Sequence, residues 1–304
     1  MNKIELLEGT LLGDASIQKQ ETPHGDYFYY KLTAKDEKLL EHYRKLFGKY
    51  GIKNTYIVQD NKSQGTFSLG FYMNKHSKLP GLKQKWYKER NGKTLKVVPE
   101  NLKLTSTVLL HWHLGDGSVP RRKEKNNMVP PVVLAANCFS EEGVELLIRK
   151  LKELGLNFYP VEYRSGFKNG KRSGECLYSC VQDDTLFRYF SLIGVNPPSE
   201  IKNCTTGRKG KGSETHYFKD KWPTRRDWLK ILSNTSKVGE IFKKKRGELD
   251  YTQKEVAEKV GISREHIRDV ENCKRHASVP IFKKILDVFN FSSLNLLEKR
   301  LELS

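Results

Sequence analysis

Two stretches of the chain repeat one another. Residues 7–16 read LEGTLLGDAS, and residues 109–118 read LLHWHLGDGS. Each is an apolar run of helical length that closes on Gly-Asp and a small residue. The two aspartates, Asp14 and Asp116, stand 102 residues apart. A helix C-terminus already carries partial negative charge, so an aspartate there is poorly placed for stability. Two such placements in one chain point to a use for paired carboxylates. They also require a body made of two similar halves.

The order of elements after each repeat agrees. Residues 15–20 and 27–34 read as strands around the polar turn Pro23-His24-Gly25-Asp26. Asp36 caps a helix through Lys49 that buries Leu39, Leu40, Tyr43, Leu46 and Phe47, and Gly51 ends it. Strands follow at 55–59 and 66–72, then a helix at 79–88. In the second half the pattern predicts a strand at 129–138 and a Ser140-capped helix through Leu154, which Gly155 ends. Strands at 157–164 and 176–182 and a helix at 183–193 complete it. The fold class is therefore α+β: two pseudo-symmetric αββαββα half-domains, 1–100 and 101–204. A basic linker with a short helix, 205–236, and a small all-α domain, 237–304, follow.

Charge narrows the partners. Lys and Arg number 55 against 36 acidic residues, a net charge of +19. Such an excess favours a polyanion: nucleic acid first, an anionic membrane surface second. No apolar run approaches the length of a membrane span, and the start MNKIELLEGT has no signal-peptide pattern. Five cysteines without framework spacing fit a reducing compartment. Cys176 and Cys180 lack a partnering pair at zinc spacing and read as core residues. The linker holds eight basic and three acidic residues between Thr205 and Lys230, a composition that can track a phosphate backbone.

LLGDAS and HLGDGS resemble the two signature motifs of a single-chain LAGLIDADG homing endonuclease. Trp112-His113-Leu114-Gly115-Asp116-Gly117 resembles the branch whose second motif reads W-x-x-x-DG, and the preceding KVVPENLKLTSTVLLHW suits that branch. The resemblance covers roughly the first two thirds of the chain. It implies that Asp14 and Asp116 hold divalent metal, Mg²⁺ as two or more ions, with Gly13 and Gly115 beside them. Gly9, Gly13 and Gly115 match the small residues that let two motif helices approach; His111, matching Gly9, departs from the pattern. Positions four apart share a helix face, so Gly9 and Gly13 form a flat stripe. Pairing the helices brings both aspartates together, and like charges that close call for cations between them. Oxygen donors suit Mg²⁺. Two-metal sites, with ions about 3.5–4 Å apart, serve in-line displacement at phosphorus.

The same resemblance implies that each half's sheet lies over a DNA major groove. Candidate readers are Gln18 and Gln20 on the first sheet. Arg121, Arg122, Lys123 and Lys125 follow the second motif, and Arg164, Lys168, Lys171 and Arg172 occupy a hairpin. Arg and Lys suit guanine, and Gln suits adenine. Lys96 in KVVP and Lys202 in PPSEIKN match basic positions near the metals and would stabilise the phosphate or orient the attacking water.

Residues 252–275, TQKEVAEKVGISREHIRDVENCKR, resemble a helix-turn-helix of the Cro/repressor type. Thr252 caps a helix over 253–260, Gly261-Ile262 turns, and Ser263 caps the second helix. In that family the N-terminal residues of the second helix read the major groove. Here these are Arg264, Glu265, His266 and Arg268, and Gln253 would touch phosphate.

These readings converge on a monomeric, metal-dependent, site-specific endonuclease of double-stranded DNA. It would have an extra DNA-recognition domain and neither a membrane nor a small-molecule partner. Its place would be cytoplasmic (prokaryotic or phage-encoded) or organellar, not secreted. A transcription regulator or an RNA-binding intron maturase built on the same body remain the alternatives.

Overall fold

The computed structural model describes residues 2–22, 25–34, 36–61, 66–73, 79–120, 129–164, 173–201, 205–206, 215–216 and 221–303. They form two compact units. The first comprises Met1–Ser118, Val132–Tyr178 and Leu192–Trp222; the second comprises Val119–Pro131, Ser179–Ser191 and Pro223–Ser304.

Two motif helices are the centre of the first unit. Helix α1 (Lys3–Leu12) starts at a capping box of Asn2 and Glu5, which satisfies otherwise orphaned amide donors. Its Leu6, Leu7, Leu11 and Leu12 are all buried, as are Val108, Leu109 and Trp112 of α4 (Ser106–Asp116). A helix apolar all round belongs inside a protein, and the two pack against each other.

Strands β1 (Ala15–Thr22), β2 (Gly25–Ala34), β3 (Tyr56–Asn61) and β4 (Thr66–Met73) form an antiparallel sheet ordered β1-β2-β4-β3. Side chains alternate across a sheet, and the register sorts them. Ile17, Tyr30, Leu32, Leu69 and Phe71 point inward onto Leu40, Tyr43 and Phe47 of α2 (Glu37–Lys49). Tyr30 stacks on Phe71 at 4.7 Å, and its hydroxyl meets Thr10 of α1 at 2.6 Å, tying sheet to motif helix. After α3 (Leu79–Trp86) comes a short ribbon, β5 (Tyr87–Arg90) and β6 (Lys93–Lys96). The sequence pattern runs the helix on through Lys88. Instead the left-handed Asn91 and Gly92 make a tight hairpin, the conformation Asn-Gly favours.

The second half repeats the order with β7 (Gly117–Ser118), β8 (Val133–Ala135), α5 (Glu141–Glu153), β9 (Phe158–Arg164), β10 (Ser173–Ser179) and α6 (Thr185–Ile193). Its sheet is ordered β7-β8-β10-β9, the same arrangement as the first. The expected strand over 129–138 shrinks to three residues. Pro130 and Pro131 lack the amide hydrogen a ladder needs. A two-stranded ribbon, β11 (Thr205–Thr206) and β12 (Thr215–His216), stands in the stretch whose composition reads as linker.

The second unit is helical: α7 (Arg225–Ser233), α8 (Val238–Glu248), α9 (Gln253–Val260), α10 (Arg264–Glu271), α11 (Val279–Val288) and α12 (Ser293–Glu302). Phe242, Phe282 and Phe289 cluster at its core with Val256, Val260, Ile267 and Leu286. The Ser179–Ser191 stretch shares this core. Phe190 packs edge-on against Trp228, and Arg300 spans Asp184, the Ser236 carbonyl and the Phe187 ring. Among the described residues no helix is long and apolar enough to cross a membrane.

Candidate functional site: a carboxylate pair flanked by two lysines

The motif helices touch where their side chains vanish. A Cβ on Gly9 would lie 2.7 Å from the Val108 carbonyl oxygen and 2.8 Å from His111 Cβ. One on Gly13 would lie 3.3 Å from Gly115 Cα, and one on Gly115 would lie 3.2 Å from the Asp14 amide. The match of Gly9 with bulky His111 is therefore complementary: the missing side chain on α1 makes room for the ring on α4. His111 is buried and meets the Tyr43 hydroxyl through Nδ1 at 3.1 Å.

The glycine contact sets Asp14 and Asp116 side by side at the helix ends. Asp14 is exposed and Asp116 half-buried. Burial first, and the neighbouring Asp14 second, push the Asp116 carboxyl up to about 7, against the pull of Lys221 and Lys96.

Each aspartate is bracketed by a lysine. The Lys96 ammonium donates to the carbonyls of Gly13 (3.2 Å) and Ala15 (3.0 Å), the residues before and after Asp14. The Lys221 ammonium donates to Gly115 (2.8 Å) and Gly117 (2.7 Å), the residues before and after Asp116, and to His113 (3.1 Å). The helix C-termini offer unpaired carbonyls, and a cation there satisfies them. Burial pulls the Lys96 ammonium below its usual range, while Cys138, Asp116 and Asp14 hold it up.

Lys221 is the residue that sequence reasoning missed. Lys202, the sequence candidate for that place, lies outside the described residues, as do Arg121, Arg122, Lys123, Lys125, Lys168, Lys171 and Arg172. A signal was present: Lys96-Val97-Val98-Pro99 and Lys221-Trp222-Pro223 are both a lysine shortly before a proline. His113 holds the second lysine's backbone, its Nε2 donating to the Lys221 carbonyl at 2.7 Å, and Trp222 packs edge-on against the same ring. Burial, then the Lys221 charge, lowers the His113 pKa to about 3, so the ring is neutral. Gly117 has no side chain because His113 fills the space: a Cβ would sit 2.2 Å from its Nδ1.

The sheet faces opposite the core are open. On the first, Gln18 pairs in register with Tyr29 and Gln20 with Tyr27, so both glutamines share the open face; of Gln20 only the backbone is described. Tyr29 lies across Gly70 and stacks on Tyr56 at 6.1 Å. Lys31, not foreseen, stands between Ser16 and Gly70 on that face. Arg164 closes β9 with only its backbone described.

In the helical unit Thr252 and Glu255 form a capping box, Gly261 turns at φ +77°, and Ser263 caps α10. Arg264, Glu265 and Arg268 are exposed on α10, and His266 is half-buried. Arg268 leans on Asp269 at 3.1 Å. Gln253 braces the pair of helices: its Nε2 donates to buried Glu271 at 2.8 Å. Glu271 also receives the Arg246 guanidinium through both oxygens, at 2.6 and 3.1 Å. That Arg–Glu pair locks α8 to α10 with bidentate geometry.

The chain belongs to the LAGLIDADG DNA endonuclease family, whose model matches residues 4–167. A helix-turn-helix family model matches residues 242–297. No curated protein matches the chain. Among solved structures it resembles the homing endonuclease I-WcaI bound to its DNA recognition sequence, with TM-score 0.50 and 22% identity over 66% of this chain and 84% of that one. It also resembles I-DmoI in complex with DNA and Mn, with TM-score 0.39 and 12% identity over 64% of this chain and 98% of that one. A point mutant of I-SmaMI matches with TM-score 0.40 and 14% identity over 64% and 85%.

Proposed function

We propose that the protein cuts double-stranded DNA at a long specific site, as a monomer, with divalent metal at Asp14 and Asp116. The observation that carries this is the twofold recurrence of one constellation: an aspartate at a helix end, its flanking carbonyls held by a lysine. Among the described residues no cluster of three His, Cys, Asp or Glu side chains exists. Two carboxylates, with water and phosphate oxygens, would make a hard-oxygen donor set of the kind Mg²⁺ takes. A divalent ion held there supplies Lewis acidity and an activated water for in-line displacement at phosphorus.

The chain's own residues do the rest. Asp14 and Asp116 would hold the cations; the Gly13 and Gly115 carbonyls beside them accept from Lys96 and Lys221. Lys96 and Lys221 fix the two helix ends and set positive charge where a pentavalent phosphate gathers negative charge. One chain supplies both halves, so no second copy is needed. The helical unit adds recognition: Arg264 and Arg268 at the start of α10 would read base edges flanking the cut. The Gln253–Glu271 contact makes Gln253 a brace of that helix as well as a candidate phosphate contact.

A cleavage screen on randomised duplex tests the reading. Cutting is expected with Mg²⁺, to stop with chelator and to return with added metal. Binding without cutting in every metal tried would leave a regulator. Arg264→Ala should weaken protection at one flank of the footprint by about 1–3 kcal/mol of discrimination and leave the cut position unchanged.

A further inference from the structure

The two sheet faces turned away from the core differ in chemistry at matching positions, where Lys31, Thr33 and Ala135 are half-buried and Ser68, Val133 and Cys176 are buried. Ser16 and Ser118 each lie two residues past their aspartate. In register, Lys31 stands between Ser16 and Gly70, and Val133 stands between Ser118 and Tyr178. Lys31 and Val133 are therefore equivalent. Two residues on, Thr33 faces Ser68 in the first sheet, and Ala135 faces Cys176 in the second. Three hydrogen-bonding side chains have become three groups that are apolar or nearly so. Each face carries a tyrosine pair, though not at matching positions: Tyr29 beside Tyr56 at 6.1 Å, and Tyr178, in the place of Gly70, beside Tyr159 at 6.3 Å. Val133 and Cys176 make the floor of the second face, and Tyr159, 50% exposed, stands at its edge.

We infer that the second sheet reads the base pairs nearest the cut in its half-site through the C5-methyl group of thymine. This rests on the duplex-cutting function proposed above. Thymine alone among the four bases puts a methyl group in the major groove, and small apolar side chains contact it. Guanine there offers N7 and O6, two acceptors. Val133 and Ala135 have no side-chain donor, so a guanine covered by these two side chains gains no hydrogen bond from them, and the neighbouring hydroxyls of Ser118 and Tyr178 are the nearest donors on that face. The first sheet, with Lys31 at the equivalent place, can donate to guanine. The two half-sites therefore differ in kind: one is read by hydrogen bonds beside the cut, the other by methyl contacts.

Uracil keeps thymine's pairing and loses only the methyl, so it isolates the effect. The full chain, with chelator present to prevent cutting, is used to select bound duplexes from a random library made with thymine. It is then used on the same library made with uracil. The thymine library should return thymine at positions beside the cut in one half-site. Against its uracil counterpart, the selected duplex should bind about fourfold tighter per methyl in that half, with no change in the other. Val133→Lys should shift preference in the same half toward guanine; Ala135→Thr, a smaller change, serves if the lysine variant does not fold. Equal binding of thymine and uracil duplexes in both halves would overturn the inference, as would a wild-type guanine preference at those positions. Selection of no sequence from either library would remove the duplex-reading function itself, and this inference with it.

Discussion

Lys96 and Lys221 reach equivalent places by different routes. Lys96 ends a tight hairpin directly before the second motif and is half-buried. Lys221 lies beyond the second sheet, past a small ribbon, is only 8% exposed and holds three carbonyls to the other's two. The motif helices differ in the same direction. α1 ends in an exposed Asp14 and carries glycines, while α4 ends in a half-buried Asp116 and carries two buried histidines. The first half keeps its aspartate and lysine more open, and the second sinks the same groups into packing. Pseudo-symmetry fixes where the carboxylates and ammonium groups stand; it leaves free how each half supports them.

Removing either carboxylate gives the largest effect. Asp14→Asn and Asp116→Asn should each lower single-turnover cleavage on the order of 10³-fold, with duplex affinity nearly unchanged because phosphate and base contacts lie elsewhere. Activity surviving in one of the two would show that the halves are unequal in chemistry as well as in support.

The lysines should separate next. Lys221→Ala strips a buried cation from three carbonyls and should cost about 3 kcal/mol in urea unfolding. Lys96→Ala should cost about 1 kcal/mol while slowing cleavage just as much. Equal stability losses would break the contrast between an open half and a packed one.

Glycine substitutions sharpen it further. Gly9→Ala forces a methyl against the Val108 carbonyl and should destabilise by about 2 kcal/mol through overpacking. Gly115→Ala meets a looser contact, so it should cost less stability and act on cleavage by shifting Asp14. Chemical denaturation and cleavage assays on both variants distinguish packing from chemistry.

Acid titration gives the smallest effect. Burial, the larger cause in both, lowers His111 and His113 to about 3. Unfolded, each titrates at its ordinary value of about 6.5. Both are neutral in the fold, so their stability is complete above about pH 6.5 and is lost as pH falls toward 3. Between pH 7.5 and 6 the loss should be about 0.8 kcal/mol for each. Replacing His111 with Phe should roughly halve that dependence in melts at the two pH values.

The motif pair and the helix-turn-helix were legible because each is local. An aspartate at the end of an apolar helix, and a Thr-capped helix followed by Gly-Ile-Ser, stand in short stretches. What was hidden depended on distant contacts. Trp86-Tyr87 at helical spacing masked the hairpin that delivers Lys96, although Asn91-Gly92 marked its turn. Lys221 sat in a basic run whose charge suggested a phosphate-tracking linker; the lysine-before-proline spacing it shares with Lys96 was its one mark, and its contacts with His113, Gly115 and Gly117 gave it a role. Lys31 and Val133 could be named as counterparts only once strand register was known, since a one-residue slip sends every side chain to the other face. The bracing role of Gln253 was hidden because its partner, Glu271, lies 18 residues away.

The bond from Lys221 to the Gly115 carbonyl spans 106 residues of sequence. A growing chain therefore carries both aspartates and the first lysine well before it carries the second. Until then the end of α4 lacks the charge that holds its carbonyls. Synthesis itself orders the assembly, and of the two aspartates and their two lysines, Lys221 is the last to arrive. A chain stopped short of residue 221 would hold both aspartates yet lack that brace.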